Sequence, residues 1–254
     1  MFKLRYILAC LLTVVSLAQA EPKPNIVFIL ADALGYGDLG FNGQNKIKTQ
    51  VLDNMTAEGI VFTRHYAGSA VCGPSRASLM TGMHTGNSRV RENPKWTHSG
   101  QPVDMSLTDV TVAEGLKRAN YNTGIIGKWG LAENLNEGTP NLKGFDYFYG
   151  FDKHKSAHHY YAEQIWENKN LIPREGNVTT DKIGVYSQDL FTNKALSFVE
   201  NQTSEKPFFL YLAYTIPHFE LTIPEDEKQQ YSNLKWTLRK MKAGHYRHDE
   251  NGHV

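Results

Sequence analysis

Cysteine is nearly absent from this chain: Cys10 and Cys72 are the only two among 254 residues. That excludes a disulfide framework as the source of stability. An excess of one charge is missing as well. Twenty-seven Lys and Arg stand against 26 Asp and Glu, a formal net charge of +1, with no run of one sign. Nothing in this balance calls for a nucleic-acid partner. After Leu17 there is no apolar run long enough to span a bilayer, and there is no internal repeat and no low-complexity tract. What remains is 41% hydrophobic with 11% aromatics, a composition that folds, in a length that suits one sizeable α/β domain or two small ones.

The first twenty residues differ from the rest. Lys3 and Arg5 precede an apolar run from Tyr6 to Leu17, and Ala18-Gln19-Ala20 is a small-x-small cleavage site. Residues 1–20 are therefore expected to be a secretory signal peptide, and the protein to be exported, periplasmic or secreted, without a membrane span. Cleavage removes Cys10 and leaves Cys72 alone in residues 21–254.

Three apolar segments read as strands: Asn25–Asp32, Thr123–Trp129 and Pro207–His218. The first runs without polar alternation, as in a strand buried on both faces of a parallel sheet. Val112–Ala119 and Val185–Asn201 carry apolar residues at about the helical period. Strands alternating with helices predict an α/β fold, with a mostly parallel central sheet and helices on both faces. Residues 133–174, rich in Asn, Gly, His and Tyr, read as long surface loops, and the polar tail after Pro224 holds no evident closing element.

Ligands in open α/β sheets bind beyond the carboxyl ends of the strands, and Asp32, Lys128 and His218 all fall there. Taken singly, each has an ordinary structural role open to it; their convergence points to a site. In "AVCGPSRASLMTG" (Ala70 to Gly82), Pro74 suits the first turn of a helix and Gly82 the residue just past its end. Cys72 then lies at the helix N-terminus, where free N–H groups and the dipole favour anions, and Arg76 can reach back one turn. The pattern describes an anion site with a nucleophile in it. The loop of cysteine phosphatases places five residues between Cys and Arg, whereas here there are three.

Cys72-Gly73-Pro74-Ser75-Arg76 followed by Ala77-Ser78-Leu79-Met80-Thr81-Gly82 closely resembles the sulfatase signature C-x-P-S-R-x-x-L-x-T-G. "PNIVFILADALGYGDLG", "GIIGKWGL" and "TIPHFEL" resemble the family's metal loop, lysine motif and strand-end histidine, in the family's order. The resemblance implies an alkaline-phosphatase-like fold and hydrolysis of sulfate esters. It implies that Cys72 is oxidised to formylglycine by a formylglycine-generating maturation enzyme. It further implies a divalent cation, Ca2+ or Mg2+, with Asp32 and the group at position 72 as ligands. Arg76 and Lys128 would then stabilise negative charge, and His218 would contact the sulfate or protonate the leaving oxygen.

The sequence departs from the family pattern at three points. Ala33 stands where the family usually has a second metal-ligand aspartate, and Gly130 where many members have a histidine. The family's later Asp-Asn metal pair and second lysine have no counterpart before Val254, so residues 21–254 are expected to be an incomplete, N-terminal portion of the catalytic domain. A phosphonate or phosphate ester hydrolase, and a non-catalytic protein that binds sulfated glycans, are the alternatives. "KHKSAHHYYAEQIWENKN" (Lys153 to Asn170) is dense in His, Tyr and Trp and could stack on a sugar ring, which favours a sulfated carbohydrate over an aryl sulfate.

Overall fold

The computed structural model describes residues 22–93, 103–133, 136–218 and 220–234. The expected signal peptide lies outside these residues. Strands are β1 (Ile26–Asp32), β2 (Asn122–Lys128), β3 (Tyr147–Phe151), β4 (Gln164–Glu167), β5 (Asn170–Pro173) and β6 (Phe208–Pro217). The α-helices are α1 (Gln50–Glu58), α2 (Cys72–Thr81), α3 (Val112–Arg118), α4 (Ser187–Glu200) and α5 (Glu225–Gln229). The sheet has six strands in the order β1-β6-β2-β3-β4-β5. The first four strands in that order are parallel, and β4 and β5 add an antiparallel hairpin beside β3.

Side chains alternate across the sheet, and each face has its own core. Ile125, Phe148, Phe209, Tyr211 and Ala213 pack with Ala77 and Met80 of α2 and Ala113 of α3. Ile126, Tyr149, Phe151, Phe208, Leu210 and Leu212 pack with Phe191 and Ala195 of α4. Helices therefore cover both faces, as the alternation of elements implies. The apolar stripe of α4 is narrower than its sequence indicates, since Leu196 and Val199 face solvent while Ala195 is buried.

Two expectations need correction. The segment 133–174 is not a set of surface loops: it supplies β3, β4 and β5 and the buried side chains Phe145, Phe148, Tyr160 and Ile165. Its buried aromatics lie on and beside strands of four or five residues, which pattern reading misses because so short a run carries too few alternations. Nor is β1 buried on both faces. Among the described residues it pairs only with β6, at the sheet edge, and Val27, Phe28 and Ile29 are 48%, 37% and 58% exposed.

Two local features aim the strand ends. The pairing of β1 with β6 shifts register between Leu30 and Asp32. At Gly127 φ is +109°, and an added Cβ would lie 2.0 Å from the Ala213 carbonyl oxygen, so only glycine fits beside β6 immediately before Lys128.

Candidate active site

Helix α2 begins at Cys72 itself, with Val71 as its N-cap in extended conformation. The side chain of Asn93 accepts a hydrogen bond from the Gly73 N–H at 2.8 Å and so satisfies one of the helix's free donors. At the other end Gly82 adopts the left-handed conformation, φ +68°, and its N–H donates to the Ser78 carbonyl. The helix thus stops where the sequence indicates and starts two residues before Pro74.

Asp32, Cys72, Arg76, Lys128 and His218 all meet beyond the ends of β1, β6 and β2. Lys128 Nζ donates to Asp32 Oδ2 at 2.7 Å, and Arg76 Nη2 pairs with the same oxygen at 3.3 Å. Arg76 Nη1 donates to the Lys128 carbonyl at 2.6 Å and to the Tyr211 hydroxyl at 3.3 Å. The three charged side chains are buried, at 0% exposure for Lys128, 3% for Arg76 and 7% for Asp32. Two cations therefore face one carboxylate, and the pocket has charge to spare for an anion. The thiol of Cys72 donates to Asp32 Oδ1 at 3.5 Å.

Burial alone would raise the Asp32 pKa, but the charges of Lys128 and Arg76 outweigh it and hold the carboxyl at about 2. For Cys72, burial also pushes upward, and the hydrogen bond from His218 with the charge of Lys128 brings the net value below the ordinary thiol range.

The sequence reading missed two further histidines. The ring of His158 stacks on His218 with centroids 4.6 Å apart and planes 15° apart. His154 fills the space that a side chain at Gly130 would need: an added Cβ there would lie 2.9 Å from His154 Cε1. Burial, then the charge of Lys128, holds the His158 pKa at about 4, and the same causes with Arg76 hold His154 at about 3. Both rings are neutral at pH 7, so they pack beside the cations without adding charge. They belong to the His- and Tyr-rich stretch quoted above, but no spacing rule links them to Cys72. The Tyr160 hydroxyl in that stretch donates to the carbonyls of His218 and Thr215 and ties it to the end of β6.

Acid should unpick this cluster in a defined window. The unfolded Asp32 takes up its proton near 3.8 and the folded one near 2. The carboxylate therefore contributes about 2 kcal/mol that is fully present above pH 4 and lost as pH falls through 2. Denaturant unfolding at stepped pH checks this: the Asp32→Asn variant should lack that component of acid lability.

Asp32, Cys72 and His218 each offer one metal-ligand atom, all within 4.8 Å of one another. A calcium ion takes six to eight oxygen ligands, and of these the group supplies only one carboxylate. Ala33 adds none: its side chain is an exposed methyl on a backbone with φ +65°. Taken alone, the described residues do not make a calcium site.

Two buried cations and a histidine at the strand ends of an α/β sheet, beside a cysteine that opens a helix, make a site suited to an anion. The sulfatase family model matches residues 24–242, and the chain belongs to the sulfatase family. It is 32% identical to human arylsulfatase G over 234 residues, covering 80% of this chain and 43% of that protein. It is also 32% identical to the N-acetylgalactosamine-6-O-sulfatase of Bacteroides thetaiotaomicron, covering 76% of this chain and 48% of the relative. The crystal structure of Ps i-CgsB in complex with k-i-k-neocarrahexaose superimposes with a TM-score of 0.68 at 30% identity, over 85% of this chain and 50% of that one. The chain spans less than half the length of both curated relatives.

Proposed function

We propose that this chain is the N-terminal, site-bearing portion of an exported sulfatase that hydrolyses sulfate esters on a sulfated carbohydrate. The observation that carries the reading is Cys72 at the start of a helix, beside buried Arg76 and Lys128 and in reach of His218. The carbohydrate class rests on the relatives: one is named for an N-acetylgalactosamine sulfate, and another was solved with an oligosaccharide.

In this reading Arg76 and Lys128 hold the sulfate and the negative charge that grows on it, preorganised by their shared contact with Asp32. His218, braced by His158, gives a proton to the leaving alcohol oxygen. Formylglycine at position 72, when formed, supplies a hydrated aldehyde whose one hydroxyl attacks sulfur and whose other releases the sulfate. Further oxygen ligands for a calcium or magnesium ion would have to join Asp32 from polypeptide outside the described residues.

Coexpression with a formylglycine-generating enzyme tests the reading directly. Mass spectrometry of the tryptic peptide ending at Arg76 is expected to show loss of the thiol and gain of an aldehyde. A peptide that still alkylates fully as cysteine removes the proposal.

Ala33 favours one second reading, a protein that binds sulfated glycans without turning them over. Ala33→Asp is expected to raise calcium affinity, since it sets a second carboxylate beside Asp32 at a position whose positive φ suits aspartate better than alanine. Calorimetric calcium titration of both proteins checks the effect. An unchanged affinity would detach this loop from metal binding.

A further inference from the structure

The donors around Cys72 do not match the hard cation that the family implies, and they match another kind. Sulfur, imidazole nitrogen and a single carboxylate oxygen are the ligands of a borderline cation such as zinc, which is content with three protein ligands and an open fourth position. The three ligand atoms already lie within 4.8 Å of one another, on residues fixed by the end of β1, the start of α2 and the end of β6.

The two oxygens of Asp32 are divided between two tasks. Oδ2 takes Lys128 and Arg76, while Oδ1 faces the sulfur of Cys72 at 3.5 Å. A cation bound at Oδ1 therefore leaves both ion pairs in place. The ring of His218 is held from behind by the stacked ring of His158.

We propose that, while Cys72 is still a thiol, Asp32 Oδ1, Cys72 Sγ and a ring nitrogen of His218 bind a zinc-type divalent cation, with water in the fourth position. Binding forms the metal–sulfur bond and releases the thiol proton to solvent, so no oxidant or reductant takes part. The positive charges of Lys128 and Arg76 repel the cation and lower its affinity. Conversion of Cys72 to an aldehyde removes the sulfur ligand and ends the zinc preference. The unconverted and converted forms thus differ in the metal they take. The proposal needs only the thiol and stands independently of sulfate-ester turnover.

Cobalt(II) serves as the probe, titrated into the 254-residue chain whose Cys72 thiol has been verified by mass. A thiolate-to-cobalt charge-transfer band is expected, with the visible intensity of a four-coordinate ion, and one equivalent of zinc should bleach it. Cys72→Ser, nearly isosteric and still carrying Cys10, should lose the band. His218→Ala should weaken zinc binding by more than the roughly 10- to 100-fold that loss of an outer-shell partner costs. Zinc should also raise the melting temperature of the native chain and not of Cys72→Ser. Absence of the band in the native chain overturns the proposal, as does a band that survives in Cys72→Ser. Displacement of cobalt by calcium as readily as by zinc would show a hard site and overturn it too. Each of these failures leaves the aldehyde at position 72, the test of the sulfatase reading, unaffected.

Discussion

Cys72→Ala is expected to abolish sulfate-ester turnover in the matured protein while barely moving its melting temperature. The two effects separate because the side chain does much for the chemistry and little for the fold. Its thiol donates one long hydrogen bond, 3.5 Å to Asp32 Oδ1, besides its contact with His218, and it is only partly buried at the first position of α2. Removing one sulfur there costs about 1 kcal/mol, and alanine is the best helix former available. For turnover the alanine methyl offers no atom that can attack sulfur. A chromogenic sulfate ester, assayed beside a thermal melt, gives both readouts. Residual turnover above about one part in a thousand of the parent would place the nucleophile elsewhere.

Lys128→Ala should lose both activity and stability. Turnover is expected to fall by about 10²-fold or more, as when a preorganised charge is removed from an anionic transition state. Stability should fall by about 3 kcal/mol, because Asp32 stays buried with Arg76 as its sole strong partner and the Lys128 stem leaves a cavity. Two variants separate the causes. Lys128→Met fills the space without the charge, so it should recover part of the stability and none of the turnover. Asp32→Asn with Lys128→Met removes the orphaned carboxylate and should recover more of the stability. If Lys128→Met keeps full turnover, the lysine is structural and the charge arrangement drawn here is wrong. Arg76→Ala is expected to behave similarly, with a further loss because its Nη1 hydrogen bonds to the Lys128 carbonyl and Tyr211 disappear.

The parts of this site that the sequence discloses are those built on regular elements. Asp32, Lys128 and His218 follow apolar runs long enough to be recognised as strands, and Cys72 opens a helix bracketed by Pro74 and Gly82. Each element end is legible by itself, and sheet topology then brings the ends together because β6 runs between β1 and β2. The histidines follow no such rule. His154 and His158 reach the site only because β3 lies next to β2 and the chain leaving β3 turns over the strand ends. That crossing depends on tertiary packing, and nothing in the spacing of "KHKSAHHYY" encodes it. The strands β4 and β5 fail for another reason: at four residues each, they are too short for alternation to outweigh their Gln, Glu, Asn and Pro. The capping box of α3 was there to be read. The Thr111 hydroxyl accepts from the Glu114 N–H at 3.1 Å, and the Glu114 carboxylate accepts from the Thr111 N–H at 2.8 Å.

The side of β1 that pairs with no strand among the described residues governs how this polypeptide behaves in a test tube. An edge strand ordinarily protects itself with lysine, proline or a twist away from its neighbours, and β1 offers Val27, Phe28 and Ile29 in an unbroken apolar row. Further along the chain, Ile60 and Phe62 are 83% and 74% exposed. A preparation of these 254 residues by themselves should therefore cluster as its concentration rises, through strand addition at that rim. Fusing a solubilising carrier will not silence a sticky row of backbone donors and acceptors. Placing a lysine at Val27 or Ile29 should, and without touching any residue of the strand-end cluster.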